Sequence, residues 1–309
     1  GNAKARLNHT LGLLARAAGC TAEGQVTARS YEKWSPVTLD FHGPAFSSSD
    51  SQPNPFLDYR LQVRFAGPGG AEYDVPGFFA GDGNGGQEGN VWRVVFSPDE
   101  VGEWRYRVSF RKGEKVAISL VANAGEPAAF DGKEGSLTVI PQRTAEGFYR
   151  SGRLEYAGGH YLKLRDGGYW LKAGTDSPED LLAYAGFANT PNPGHTFEAH
   201  VQDWRPGDPY WDGGKGKGII GALNYLASMK VNGIYFLPMN VGGDGKNVYP
   251  YLGPIDGAGS RKNDNLHFDL EKLHQWGIVL DHAQRKRLML HIVLNEAETP
   301  NKMELDRGR

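Results

Sequence analysis

The sequence has few of the features that mark several large classes of protein. Cys20 is its only cysteine, so an intrachain disulfide is impossible. No run of eighteen or more apolar residues occurs, and the sequence therefore predicts no membrane-spanning helix. The formal net charge of the 309 residues is −2, and no long block carries one sign of charge. The sequence thus gives no indication of a nucleic-acid-binding surface.

Turn-forming and aromatic residues, by contrast, are abundant. The chain has 43 glycines and 18 prolines, which indicates many tight turns and long loops. It also has 7 tryptophans and 14 tyrosines, and some of these lie in polar, glycine-rich segments. Aromatic rings in loops suggest carbohydrate recognition, although burial in a core is the commoner reason for such residues.

Residues 1–24 form a segment of their own, which reads "GNAKARLNHTLGLLARAAGC" up to Cys20. Basic residues followed by leucines and then by Ala-Ala-Gly-Cys are typical of a bacterial lipoprotein signal. This interpretation predicts a lipid anchor at Cys20 and a secreted, periplasmic or cell-surface protein. Arg16 interrupts the apolar stretch, so a plain linker or a short helix is the alternative.

Residues 25–141 alternate between apolar and polar side chains, with turns between the alternating runs. In "GEWRYRVSF", for example, Trp104, Tyr106, Val108 and Phe110 fall on one face. Such alternation predicts strands with one buried and one wet face. Several short strands of this kind without helical segments predict an all-β immunoglobulin-like sandwich.

The pattern changes after a polar linker over residues 142–155. A hairpin is predicted about Asp166-Gly167. Next come a helical pattern ending at Asn232-Gly233, an apolar strand, a second helix starting near Asp269, and another apolar strand. Long polar loops follow the strands, whereas the helix-to-strand connections are short. We therefore predict that residues 156–309 are the N-terminal portion of a (β/α)8 barrel, with strands near 169–174, 233–238 and 288–294.

No pattern for a cofactor or a metal is evident. The segment "GGKGKG" at 213–218 lacks both the preceding strand and the lysine-serine ending of a phosphate-binding loop. His195 and His200, together with Asp203, match no established metal-ligand spacing. We therefore expect neither a cofactor nor a metal.

Several phrases resemble one architecture found in bacterial proteins. "NPFLDYRLQVRFAGPGG" and "WRVVFSPDEVGEWRYRVSF" are similar to an N-terminal immunoglobulin-like domain of unknown function. "YWLKAGTDSPEDLLAYAGF" and "DNLHFDLEKLHQWGIVLDHAQRK" resemble the start of the glycoside-hydrolase-type barrel that follows it, within the retaining β-glycosidase clan. The resemblance implies a secreted or surface enzyme that acts on poly- or oligosaccharide without a redox cofactor.

The resemblance also implies a place for the catalytic acid. In that clan a glutamate after an asparagine, at the end of the fourth strand, protonates the leaving group, and a glutamate on the seventh strand is the nucleophile. Asn295-Glu296 has this dipeptide at a strand end. However, the strand before it would be the third of the barrel. Glu296 is therefore either the acid, a substrate-binding carboxylate, or an ordinary loop residue.

Other candidate residues follow the predicted strands or lie in the loop "HTFEAHVQDWRPGDPYWDGG". Asp176 follows the first strand, although it also fits a helix N-cap. The loop aromatics could form a wall for sugar rings, or they could form the loop's own core. The substrate-binding candidates are Asp176, His200, Asp203, Trp204, Trp211, Asn240, Asp244, Asn295 and Glu298.

The sequence thus predicts the N-terminal part of a polysaccharide-degrading glycoside hydrolase. We expect the chain alone not to hydrolyse glycans. The alternative is a non-catalytic carbohydrate-binding or structural surface module. Buried Trp34, Trp92 and Trp104 would favour a structural role for the sandwich, whereas exposed ones would favour binding. The sequence specifies neither the sugar nor the linkage.

Overall fold

The computed structural model describes residues 30–174, 178–190, 194–239, 248–253 and 265–294. Its strands are β1 (Ser30–Glu32), β2 (Val37–Ser47), β3 (Tyr59–Ala66), β4 (Glu72–Pro76), β5 (Phe78–Phe79), β6 (Glu88–Phe96), β7 (Gly102–Lys112), β8 (Glu126–Pro127), β9 (Glu134–Ile140), β10 (Leu154–Tyr156), β11 (Leu162–Leu164), β12 (Tyr169–Trp170), β13 (Gly233–Phe236) and β14 (Met289–Ile292). Its α-helices are α1 (Phe148–Ser151), α2 (Lys217–Ser228) and α3 (Leu270–Arg285). Short 3-10 helices occur at Val116–Ile118 and Glu198–Asp203. None of the helices within these ranges has the length and apolar character needed to cross a membrane.

Strands β1 to β9 form two sheets that share one hydrophobic core. The larger sheet has the order β1-β9-β7-β3-β4, with β8 beside β7, and the smaller has the order β2-β6-β5. As the alternation predicts, Trp104, Val108 and Phe110 of β7 point into the core and are buried. The rings of Phe65 and Phe96 stack with centroids 4.2 Å apart. Burial of these aromatic side chains is the main stabilising contribution of the two-sheet layer.

A second group of elements follows the two-sheet layer. Strands β10, β11 and β12 form an antiparallel sheet, and β11 and β12 flank the predicted turn at Asp166-Gly167. Strands β13 and β14 pair in parallel, with α3 between them in the chain. A separate core lies between this pair and the two long helices. Its members include Leu182, Ile219, Ile220, Phe236, Trp276 and Val279.

The predicted fold class, an immunoglobulin-like sandwich followed by an incomplete (β/α)8 barrel, is wrong. The regular secondary structure of the described residues is mostly β-sheet with few helices, and it shows no such barrel. Strand β12, taken as the first barrel strand, is instead paired antiparallel with β11. The error has a physical cause, because an apolar strand after an amphipathic helix looks the same in a single strand–helix–strand unit as in a closed barrel. The pattern does not specify the number of strands.

Helix α3 begins at a buried carboxylate that also contacts the two-sheet layer. Asp269 is its N-cap and accepts a hydrogen bond from the Lys272 backbone N–H at 3.1 Å, as the sequence predicts for a helix starting there. Its oxygens also accept bonds from the Gln87 amide at 2.8 Å and the Asn189 amide at 2.7 Å. Gln87 belongs to the loop before β6, so one carboxylate joins three separate segments. We call Asp269, Gln87 and Asn189 the junction.

Further contacts surround the junction. Leu270 of α3 packs into the core of the two-sheet layer, and the rings of Phe56 and Phe268 meet edge-on at 5.1 Å. Lys272 is also buried, with its ammonium 4.4 Å from the centre of the Tyr249 ring. Burial lowers the pKa of Lys272 to about 8, an effect that the nearby Asp269 carboxylate opposes. The start of α3 is therefore fixed from both sides.

We predict that Asp269→Ala lowers the free energy of unfolding by about 3 kcal/mol, because the buried Lys272 N–H and two partly buried amides lose their acceptor. Urea denaturation followed by circular dichroism measures this change. Glu271→Ala is the matched control, since Glu271 also lies in the first turn of α3 but, among the described residues, accepts only from Gln275 of the same helix. We expect that change to cost about 0.5 kcal/mol. Equal losses in the two variants would contradict the role of the junction.

Candidate functional site

The candidate site lies where β13 and β14 end. The Leu237 N–H, just beyond β13, donates to the Glu179 carbonyl at 2.9 Å, and the Val293 N–H, just beyond β14, donates to the Phe236 carbonyl at 3.0 Å. The segment that contains Glu179 therefore crosses the carboxyl end of this parallel pair. In open α/β sheets, ligands bind outside the carboxyl ends of the strands.

An acid–imidazole pair lies on this segment. The Asp180 Oδ1 and His195 Nε2 atoms are 2.6 Å apart, and both side chains are about one-third exposed. The imidazole stacks on the Phe197 ring with centroids 5.0 Å apart. Backbone bonds hold the segment that carries it, because the His195 N–H donates to Ala183 and the His195 carbonyl accepts from Ala185. Within the described residues, Nδ1 of His195 has no hydrogen-bond partner.

Such a pair can bind a polar ligand or move a proton. A carboxylate on one ring nitrogen fixes the orientation of the imidazole and leaves the other nitrogen for a ligand. A sugar hydroxyl both donates and accepts, and it could meet Nδ1 directly. The arrangement supplies one carboxylate and one imidazole, which suits hydroxyl recognition and is not the carboxylate pair that glycoside hydrolysis uses.

A buried tyrosine positions the same segment against helix α2. The backbone N–H of Gly216, the N-cap of α2, donates to the Tyr184 hydroxyl oxygen at 3.2 Å. Glycine offers no side-chain cap, so the tyrosine oxygen satisfies one of the free N–H groups at this helix end. Burial raises the pKa of Tyr184, and the N–H groups of Gly216, Gly218 and Ile219 partly offset that effect. Tyr184 thus couples the loop to α2.

The two tryptophans predicted to form a substrate wall make contacts typical of a core. Trp211 is buried, stacks on Phe187 with centroids 5.5 Å apart, and donates from Nε1 to the Gly186 carbonyl. Trp204 donates to the Pro209 carbonyl at 3.1 Å, and its ring lies 4.4 Å from the Lys217 ammonium. These contacts favour the alternative interpretation, in which the long loop needs its own aromatic core.

His200 and Asp203 are paired with each other, on the 3-10 helix that lies along α2. Nδ1 of His200 is 2.9 Å from the Asp203 carboxylate, and the imidazole packs on Tyr225. The backbone approaches α2 so closely that a Cβ at Gly221 would overlap the His200 carbonyl oxygen. The structure therefore brings this pair against the helix, whereas Asp180 and His195 pair at the strand ends.

A buried polar cluster joins α2 to α3. Asn224 donates to the Asp208 carboxylate at 2.7 Å, and its side-chain oxygen is 3.0 Å from Nε2 of His282. Burial lowers the pKa of His282 to about 4, and the positive charge of Lys286 adds to this effect. His282 is therefore a neutral hydrogen-bond donor within the helix pair near neutral pH.

This cluster predicts loss of stability in acid. Between about pH 6.5 and about pH 4 the unfolded chain binds a proton at position 282 that the folded protein excludes, so the free energy of unfolding falls as the pH is lowered through that window. We expect His282→Gln to remove roughly 2 kcal/mol of this fall. Urea titrations at several pH values measure it, with His160→Gln at an exposed position as control. A pH dependence unchanged by His282→Gln would contradict the assignment.

Several predicted residues lie outside the described ranges. They are Cys20, Asp176, Asn240, Asp244, Asn295, Glu296 and Glu298. Within the described ranges, no three His, Cys, Asp or Glu side chains are grouped so that they could hold a metal ion.

The sequence did not single out the Asp180–His195 pair. Asp180 belongs to "DSPED", which fits the first turn of a helix, and the sequence suggests His195 as part of the loop's substrate wall or as a metal ligand, without pairing it to Asp180. The two residues are fifteen positions apart in the sequence, and this spacing does not place them together on a helix or a strand. The one available signal was the position of both residues in the loop after a predicted strand.

Comparison with known proteins identifies a solved structure with a similar fold and does not establish an activity. A domain of unknown function, DUF5060, matches residues 30–111. No curated protein sequence matches the chain. A solved structure from Bacteroides vulgatus ATCC 8482, provisionally described as a glycoside hydrolase, superposes with a TM-score of 0.52 and 22% identity over 86% of this chain. The chain spans 41% of that protein's length.

Proposed function

We propose that this chain is part of a glycoside hydrolase that cleaves O-glycosidic bonds in a poly- or oligosaccharide. The observation that carries the proposal is the Asp180–His195 pair at the carboxyl end of β13, within a fold similar to that of the Bacteroides protein. In this proposal the pair binds hydroxyl groups of the sugar through Nδ1 of His195 and the free lone pairs of Asp180.

Hydrolysis itself would need two carboxyl groups on either side of the glycosidic bond. We propose Glu296 as a candidate for the acid, because it follows β14 by four residues in sequence. Asn295 and Glu298 are proposed to bind substrate beside it, with Asp176, Asn240 and Asp244 from the preceding loops. A protein that degrades polysaccharide would act outside the cytoplasm, and a lipid anchor at Cys20 would fit that location.

A structural module is the second candidate, and one observation favours it for the two-sheet layer. Trp34, Trp92 and Trp104 are all buried. They cannot stack on a glycan from solvent, so they form no binding platform. This observation supports a structural role for these three tryptophans within the layer.

We predict that the intact 309-residue chain binds neutral oligosaccharides and that Asp180→Asn or His195→Ala weakens binding about 10-fold, because each removes one side of the pair. Isothermal titration calorimetry with cellohexaose, xylohexaose and mannohexaose measures the affinity. His160→Ala, at an exposed position away from the pair, is the matched control. Equal affinity in wild type and His195→Ala would show that the pair does not bind sugar.

A further inference from the structure

A large groove lies between the smaller sheet and helix α3, apart from the Asp180–His195 pair. Its volume is about 1210 Å³, above the range of roughly 300–1,000 Å³ usual for ligand pockets. It is lined by Thr38 and Arg93 of the sheet and by His274, Gly277 and Ile278 of the helix. Phe78 of β5 also lines it and is 48% exposed.

The sheet wall combines an aromatic ring with a planar polar pair. Phe78 is the cross-strand partner of Arg93, and Arg93 is the partner of Asp40, so the three side chains form one row across β5, β6 and β2. Nε and Nη2 of Arg93 donate to the two Asp40 oxygens at 2.7 and 2.8 Å. Among the described residues, none accepts a hydrogen bond from Nη1 of Arg93. Arg93 therefore presents a free donor to the groove beside the ring, and Asp40 fixes the guanidinium from the next strand.

The helix wall keeps the groove open. His274, Gly277 and Ile278 are spaced i, i+3 and i+4, so they lie on one face of α3. A Cβ at Gly277 would meet nothing within 4 Å. Glycine inside a helix costs about 1 kcal/mol relative to alanine. Packing does not require glycine here, and its effect is to leave space in the groove.

We infer that this groove binds a neutral oligosaccharide, with a sugar ring against Phe78 and an adjacent hydroxyl hydrogen-bonded to Arg93, which Asp40 holds in place. A pyranose has an apolar C–H face and an edge of hydroxyls that donate and accept, which matches this row of side chains. Arg93 is paired with Asp40, and the Arg60 guanidinium donates to the Ser119, Val121 and Ala122 carbonyls, so both arginines of the lining already have partners. The inference rests on the proposed function only for the class of ligand.

The test is calorimetry on the intact chain with cellohexaose, xylohexaose and mannohexaose at up to about 5 mM, a range that detects millimolar dissociation constants. We expect at least one of them to bind, and Phe78→Ala to weaken that binding about 10-fold. Tyr161→Ala is the matched control, because Tyr161 is 50% exposed and lies outside the groove. Gly277→Met provides a second variant, since its side chain enters open space and should block the groove while the fold is kept.

Each result supports or overturns the inference. Weaker binding in both groove variants with unchanged binding in Tyr161→Ala supports it. Absence of binding by all three hexasaccharides overturns it, as does equal affinity in wild type and Phe78→Ala. Dimerisation that Phe78→Ala abolishes would also overturn it, because a second copy would then occupy the groove. Loss of binding in His195→Ala alone would support the proposed function while overturning the groove site.

Discussion

The rest of the structure depends on the buried carboxylate of Asp269. It caps α3 by accepting from the Lys272 N–H, and it also accepts from one amide of the two-sheet layer and one of the segment that carries Asp180 and His195. A buried carboxylate without hydrogen-bond donors would lower the stability of the folded state. Removal of any of the three donors is therefore expected to destabilise the protein. The position of α3 relative to the smaller sheet follows from this set of bonds, and with it the width of the groove that Phe78 and Gly277 line.

The two proposed sugar-binding sites would recognise a sugar through different kinds of side chain. Asp180 and His195 offer a fixed imidazole at the end of a parallel strand, where backbone bonds from Ala183 and Ala185 hold the loop. The groove offers the ring of Phe78 and the guanidinium of Arg93 on a sheet, where cross-strand register sets their spacing. The first arrangement suits recognition near a reacting bond, and the second suits holding part of a longer chain. Helix α3 connects them, because it lines the groove and its core residues pack beneath β13.

The sequence predicted those elements whose burial repeats locally. Alternation placed Trp104 in the core, Asp166-Gly167 indicated a hairpin, and Asp269 indicated the start of a helix, and all three are confirmed. The prediction of a barrel is wrong, because hydrophobic periodicity indicates which face of a strand is buried and not how many strands pair. The pairs Gln87–Asp269 and Asp180–His195 could not be predicted, since each joins residues whose separation matches no period of helix or strand. The apolar sequence of β14 predicts a strand that is buried throughout. In the structure, Ile292 of this strand and the following Leu294 are exposed.

The measurement that tests this account most directly is a double-mutant cycle between Gln87→Ala and Asp269→Ala, read from the free energy of unfolding in urea. If one carboxylate couples the two parts of the chain, the losses will be non-additive by about 1 to 2 kcal/mol, and each variant will unfold in a single transition. Losses that add to within about 0.3 kcal/mol, or separate unfolding of the two cores in the wild type, would contradict it.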